Sequence, residues 1–248
     1  MDVSKSPPPE RLKDHKKFIL KKQVQDSIRY TFKHDIVSLD GHGHDKKQNQ
    51  DFATYHQFTC NKTKEVTKIF ILGDGHGPLG HEVSNRVVTE YLKRLEEKMK
   101  DQEESEMTER NMKKWMEDAA CEIQAKIEKE EKDRYYYSGT TLNMVLVRKQ
   151  FLYMLNIGDS RSFVGTKIGS SIVPSLVSKD HKPNHPEEES RIVKAGGLVK
   201  EYEDEDGLSG PPRVWNSKET EPGLATSRTL GDVCGHRLGV WHMPGSQL

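Results

Sequence analysis

Short apolar runs separated by long polar stretches set the rhythm of this chain. Lys68-Ile69-Phe70-Ile71-Leu72 stops at Gly73, as a buried strand bounded by a turn residue does. After Gly80 the spacing changes. Val83, Val87, Val88, Tyr91, Leu92 and Leu95 recur at helical intervals, which predicts an amphipathic helix. Met112, Trp115, Met116, Ala119, Ile123 and Ile127 trace a second helix, with Thr108 in the N-cap position. The acidic stretch from Asp101 to Glu106 between them reads as a solvated loop. Leu142 to Val147 and Phe151 to Ile157 flank Arg148-Lys149-Gln150 and read as a hairpin of two buried strands. A third helix begins at Pro186, where proline and three following glutamates suit the positive end of the helix dipole, and Gly196-Gly197 stops it. From Glu201 to Pro222 the chain is polar and rich in Gly and Pro around Val214-Trp215, and an irregular surface flap is expected. Two helices followed by strands, without regular strand-helix alternation, point to an α+β fold.

Composition narrows the function classes. Of the 248 residues, 33% are hydrophobic and 31% charged, so a core depends on the apolar residues being clustered, as they are. Lys+Arg and Asp+Glu both number 39, which argues against a nucleic-acid binder, since such proteins carry a basic surplus. Cys60, Cys121 and Cys234 are far apart and odd in number; neither a disulfide framework nor a cysteine zinc site fits. They read as free thiols in a reducing compartment, cytoplasmic or nuclear. Residues 1–23 contain Pro7-Pro8-Pro9 and a surplus of lysine and read as a flexible tail. They lack the apolar stretch of a signal peptide. No run approaches the roughly 20 apolar residues of a membrane span, and Asp2 stands where N-myristoylation requires glycine. No membrane association is expected.

The candidate chemistry lies in aspartates that end strands. Asp74-Gly75-His76-Gly77 follows the apolar run directly; the strand fixes the carboxylate and the glycines let the backbone turn close to an ion. Carboxylates and backbone carbonyls are hard oxygen ligands, suited to Mg²⁺ or Mn²⁺. Asp159 stands at another strand end, in Asn156-Ile157-Gly158-Asp159-Ser160-Arg161; Asp232 ends Ala225-Thr226-Ser227-Arg228-Thr229-Leu230-Gly231; Asp51 follows Asn49-Gln50. Asp40-Gly41-His42-Gly43-His44-Asp45 nearly copies the motif at Asp74 but lacks the apolar run ahead of it, and reads as a loop.

In order, Asn49-Gln50-Asp51, Gly73-Asp74-Gly75-His76-Gly77, Ser138-Gly139-Thr140-Thr141, the Asp159 motif, Asp180-His181-Lys182-Pro183, Glu188-Glu189-Ser190-Arg191-Ile192, Ala195-Gly196-Gly197, Pro212-Arg213-Val214-Trp215 and Leu224 to Asp232 resemble the metal-dependent serine/threonine protein phosphatases of type 2C. The resemblance implies one domain over residues 24–248 with the family's four-layer αββα sandwich, two antiparallel sheets flanked by helices. It implies two Mn²⁺ or Mg²⁺ ions that share Asp74, with Gly75 offering its carbonyl to one and Asp232 holding the other. Asp51 matches a nearby acidic position, Asp159 a ligand of a weaker third ion, and His76 the general acid. The implied reaction is hydrolysis of phosphoserine and phosphothreonine in phosphorylated proteins by metal-activated water, from a monomer. The alternatives are a catalytically inactive member that binds phosphoproteins and, more remotely, a non-enzymatic metal-binding domain.

Several positions depart from the family pattern. Gln50 replaces a common Glu, Lys46 lies near a phosphate-binding Arg of some members, and His236 falls where some place another aspartate. Beyond Gly239-Val240 the family pattern brings another strand and a further ligand aspartate. This sequence runs to Leu248 with no acidic residue after Asp232. The resemblance therefore predicts a domain incomplete at its C-terminus, with exposed strand edges, weak metal binding on the Asp232 side and little activity.

Overall fold

The computed structural model describes residues 33–39, 48–203, 207 and 209–247. The expected tail over residues 1–23, the Asp40–Asp45 loop and Lys46 lie outside the described residues. In chain order the elements are β1 (Asp51–Thr59), β2 (Val66–His76), α1 (Gly80–Met99), α2 (Glu109–Glu130), β3 (Gly139–Thr140), β4 (Leu142–Arg148), β5 (Phe151–Ile157), β6 (Phe163–Ile168), β7 (Ser171–Val177), α3 (Pro186–Lys194), β8 (Leu198–Glu203), β9 (Ser209–Trp215), β10 (Pro222–Leu224), β11 (Leu230–Gly231), α4 (Val233–His236) and β12 (Gly245–Gln247).

Strand β2 is the axis of the fold. Its alternate residues Thr67, Ile69, Ile71 and Gly73 are buried, the two-residue period of a strand with one face on the core. It pairs antiparallel with β1 from Thr59↔Val66 to Asp51↔Asp74, and on its other side with β4 from Thr67↔Arg148 to Leu72↔Asn143. At its end it changes partner, pairing with β3 through Gly75↔Thr140 and His76↔Gly139. The predicted β4–β5 hairpin is present in full register, Leu142↔Ile157 to Arg148↔Phe151. Strand β11 extends the sheet beyond β3 and β12 pairs with the far edge of β5, giving seven antiparallel strands.

Helices α1 and α2 cover one face of this sheet, on the apolar positions their periodicity picked out. Val87, Tyr91 and Leu95 of α1 meet Met112, Met116 and Ile123 of α2 in one core with Ile69, Ile71, Met144, Leu146 and Leu155. The buried Tyr91 hydroxyl donates to the Met116 carbonyl at 3.0 Å, tying the two helices, and Thr108 caps α2 by accepting from the Asn111 amide at 3.2 Å. On the opposite face Phe70, Leu72 and Val145 are only half covered and border a groove shared with Ile36 and Val37. Strands β6 and β7 form a separate ribbon with Phe163, Ile168 and Ile172 exposed. Among the described residues no helix is long and apolar enough to cross a membrane.

Two expectations change. The flap is not irregular: β8, β9 and β10 form a three-stranded antiparallel sheet. Val199↔Val214 and Leu198↔Trp215 are paired, and Val214 joins Ile192, Leu224 and Val240 in a second, small core. Pro211-Pro212 inside β9 removed the sequence signal, because proline cannot donate to a ladder. The Asp101–Glu106 stretch is not wholly a solvated loop. Glu104–Glu106 is a 3₁₀ turn, and Glu104 meets Arg148 at 2.6 Å and Lys149 at 2.8 Å. Hydrogen bonding from Arg148 holds the Glu104 carboxyl down at about 2, which supplies the buried guanidinium with its counter-charge.

His181 links the main sheet to the segment after β10. Its buried ring accepts from the Gly158 amide through Nδ1 at 3.1 Å, and its carbonyl accepts from the Ser227 amide at 3.0 Å. Burial first, and then the nearby Arg228 charge, push the imidazole down to about 4.

Two stability predictions follow from this packing. Ile69→Ala, emptying a fully buried position, should cost about 2–5 kcal/mol, and Thr108→Ala about 1 kcal/mol, both read from urea midpoints. The second concerns pH. The unfolded His181 takes a proton near pH 6.5 and the folded one only near 4, so this contribution is complete above pH 6.5 and is lost as pH falls towards 4. The loss should reach about 3 kcal/mol. Urea titrations at pH 7.5 and 4.5 should show a smaller drop for His181→Asn than for the unmodified chain; equal drops would remove His181 as a source of acid sensitivity.

Candidate active site

The change of partner at the end of β2 creates the site. Thr141, between β3 and β4, donates its amide to the Asp74 carbonyl at 3.0 Å and accepts the Asp74 amide on Oγ1 at 3.0 Å. Asp74 is thereby fixed where the sheet opens, in register with Asp51. The chain then turns directly into α1. A Cβ at Gly75 would overlap the carbonyls of Gly80 and Gln50, and one at Gly77 (φ 81°) would overlap Tyr137, so both need glycine. Gln50 stabilises the turn by donating to the Gly77 carbonyl at 3.1 Å, a role a carboxylate there could not fill.

Asp232 reaches the same place from the far end of the chain. It is buried and left-handed, φ 39°, and its amide donates to the Ser138 carbonyl at 2.8 Å. The preceding Gly231 is clamped by Gln124 of α2, which accepts its amide at 2.9 Å and donates to its carbonyl at 3.2 Å. Asp232 Oδ2 lies 2.6 Å from His76 Nε2, while Oδ1 is buried with no partner. Asp159 follows Gly158 (φ 100°) at the end of β5 and is paired with Lys182. Arg161, two residues further on, forks onto Asp180 at 2.9 and 2.7 Å.

Asp51, Asp74, Asp159, Asp232 and His76 therefore come together, although they span 182 positions of sequence, 51 to 232 inclusive. The electrostatics record it. Partial burial, then repulsion from Asp51 and Asp159, raises the Asp74 carboxyl above its ordinary value against the opposing pull of His76. Burial would lower His76, but the charge and hydrogen bond of Asp232 outweigh it and the imidazole is raised. Asp74, His76 and Asp159 open on a cavity of about 320 Å³, with Thr141, Tyr137 and Arg213 and with the Pro222–Thr226 segment as its far wall.

Hard carboxylate oxygens, their mutual repulsion at Asp74 and the orphaned Oδ1 of Asp232 suit a cation-binding role. In the side-chain arrangement present, the chain's own cations engage two of these acids, Lys182 at Asp159 and His76 at Asp232. No group of three or more His, Cys, Asp or Glu among the described residues is arranged as a metal cage. His236 stacks on His242 at 5.4 Å and is pushed down to about 4, first by burial and then by His242.

The far wall is anchored by Glu188, which the sequence alone did not single out for this role. Buried on α3, it accepts from Ser227 Oγ and Arg191 Nη2, each at 2.7 Å, and from Arg228 Nε at 3.0 Å. Burial would raise its carboxyl, but these donors hold it far below the ordinary range. Arg228 also donates to the Met243 carbonyl at 2.8 Å, and both guanidiniums lie over the Trp241 ring, at 4.6 and 5.7 Å from its centroid. Arg228 thus supports the approach to Asp232 and is not in the cavity wall. The signal for Gln124 and Glu188 was present, since each is a polar residue on a helix face otherwise given to the core.

The model of the protein phosphatase 2C family matches residues 18–246. Probable protein phosphatase 2C 34 of Arabidopsis thaliana is 30% identical over 221 residues, covering 85% of this chain and 60% of that protein. Probable protein phosphatase 2C 64 of Oryza sativa subsp. japonica is 35% identical over 173 residues, 69% of this chain and 40% of that protein. The chain thus spans 60% or less of the length of these relatives. A serine-threonine phosphatase 2C from Toxoplasma gondii has the same fold, with a TM-score of 0.67 at 20% identity over 81% of this chain and 68% of that one. Sequence and the α+β architecture of antiparallel sheets agree, and the chain belongs to the protein phosphatase 2C family.

Proposed function

We propose that this chain is the catalytic region of a metal-dependent protein serine/threonine phosphatase acting on phosphorylated proteins. The observation that carries this reading is His76, held 2.6 Å from Asp232 in the cavity that Asp74 and Asp159 also line. The family depends on Mn²⁺ or Mg²⁺. In this chain Asp74, the Gly75 carbonyl and Asp232 would hold two ions, with Asp51 adjacent and Asp159 serving a weaker third. Bound there, such ions activate water and neutralise phosphate oxygens. The protein's own contribution is the proton. Asp232 raises His76 above its ordinary value, which favours the protonated imidazole that would deliver a proton to the serine or threonine oxygen as that oxygen leaves. Asp232 keeps the ring oriented.

At millimolar Mn²⁺, which offsets the weak binding expected on the Asp232 side, the 248-residue chain is expected to hydrolyse a phosphothreonine peptide and p-nitrophenyl phosphate slowly. Asp74→Asn should abolish turnover and weaken Mn²⁺ binding together, read by steady-state rates and calorimetry. His76→Gln should slow peptide hydrolysis by roughly 10²–10⁴ while retaining Mn²⁺, and should slow the aryl phosphate far less, because its leaving group needs little protonation. Equal losses on both substrates would remove His76 as the acid. Phosphopeptide binding without Mn²⁺-dependent turnover would instead indicate an inactive, phosphoprotein-binding member.

A further inference from the structure

We propose that Arg213 is the residue of this chain that grips the phosphoryl group of the substrate, an inference that rests on the phosphatase reading above and adds the recognition element to it. Arg213 lies on β9 and lines the same cavity of about 320 Å³ as Asp74, His76 and Asp159. Its situation differs from that of the other described arginines. Arg86, Arg94, Arg134, Arg148, Arg161, Arg191 and Arg228 each have a carboxylate within ion-pair distance. Arg110 and Arg237 are exposed to solvent. Arg213 is half-buried and has no carboxylate partner among the described residues. Its Nε is buried without any hydrogen-bond partner. A buried donor on a permanently charged group that lacks an acceptor carries a substantial desolvation cost, and a phosphoryl dianion in the cavity would remove it.

The guanidinium is also held ready. Nη1 donates to the Gly223 carbonyl at 2.6 Å, on a segment that lines the same cavity as Asp74. The Tyr202 ring lies 5.8 Å away and itself stacks on Trp215. Only Gly223 permits this close wall, since a Cβ there would come within 2.9 Å of the Trp215 ring. One donor is spent on orientation and the Nε edge stays free. A planar fork of that kind matches phosphate oxygens in a way an ammonium does not. Charge complementarity points the same way. The other ionisable residues lining the cavity are Asp74, Asp159, His76 and Tyr137, so among the described residues Arg213 is the one permanent cation lining it. The opposing reading is that Arg213 only staples β9 to β10 through Gly223, and the test has to separate the two.

The test uses the full chain with Mn²⁺ and two fluorescent peptides, one carrying a non-hydrolysable phosphonate in place of the threonine phosphate and one unmodified. Anisotropy should show that Arg213→Gln weakens binding of the phosphonate peptide about 10- to 100-fold, the effect of losing a charge-assisted hydrogen bond. Arg213→Lys should weaken it less, and binding of the unmodified peptide should not change. Lysine retains a charge and a donor for Gly223, so it decides the matter if the glutamine variant does not fold. Three binding results would overturn the proposal: variants that bind the phosphonate peptide as the unmodified chain does, equal weakening for both peptides, or no preference for the phosphonate in the unmodified chain. Hydrolysis of a phosphothreonine peptide with a KM untouched by either substitution would sink Arg213 and leave the phosphatase reading standing. Arg213-dependent phosphonate binding without hydrolysis would do the reverse.

Discussion

His76 and Asp232 meet at 2.6 Å across 156 residues of sequence, and nearly every unusual feature of the chain serves that meeting. Closing so long a loop has an entropic cost that grows only slowly with length, but holding a carboxylate buried and left-handed at its end does not come free. The structure offsets it locally. Gln124 fixes Gly231 through both backbone groups, Ser138 takes the Asp232 amide, and glycine at 139 leaves room where a Cβ would overlap the Asp232 carboxylate. The imidazole supplies charge to one carboxylate oxygen and leaves the other unpartnered. A buried carboxylate with one oxygen on an imidazole and the other unpartnered is suited to further positive charge.

The charges that are supplied have a pattern. Lys182 stands at Asp159, His76 at Asp232, and Arg213 lines the same cavity as Asp74. Each belongs to a different part of the chain from the acid it faces, so the electrostatics of the cavity depend on β2, β5, β9 and the segment after α3 being held together. Glu188 does much of that holding. Its carboxylate gathers Ser227, Arg191 and Arg228, and Arg228 passes the connection on to the carbonyl of Met243. Taking one partner out of so buried a network leaves a charge uncompensated, which is far more costly than never having built it.

How much of this could be read in the sequence depends on whether the information is periodic or positional. β2, α1, α2 and the β4–β5 hairpin were legible because each has one face on a large core, and burial writes a period of two or 3.6 into the residues. Asp51, Asp74, Asp159 and Asp232 were legible as acids in turns at strand ends. Their partners were not: nothing in the order of residues says that Asp159 meets Lys182 and leaves Arg161 to Asp180, because such choices are made by packing between distant segments. The β8–β9–β10 sheet was missed for a different reason. It rests on a core of only Ile192, Val214, Leu224 and Val240 with two half-buried neighbours, so most of its positions are free to be polar, and Pro211-Pro212 reads as a break.

That difference in cores bears on how the cavity works. The acidic wall, at the ends of β2 and β5, is continuous with the core of α1, α2 and the seven-stranded sheet. The opposite wall, with Arg213 and Pro222–Thr226, is carried by the small core and the Glu188 network. Local opening is easiest where few apolar contacts resist it, and that condition is met on the Arg213 side. On the phosphatase reading proposed above, a site that holds fixed charges and also admits a bulky phosphorylated chain gains from that division. Rigid placement comes from the periodic, sequence-legible half of the molecule, and access from the half whose sequence is least regular.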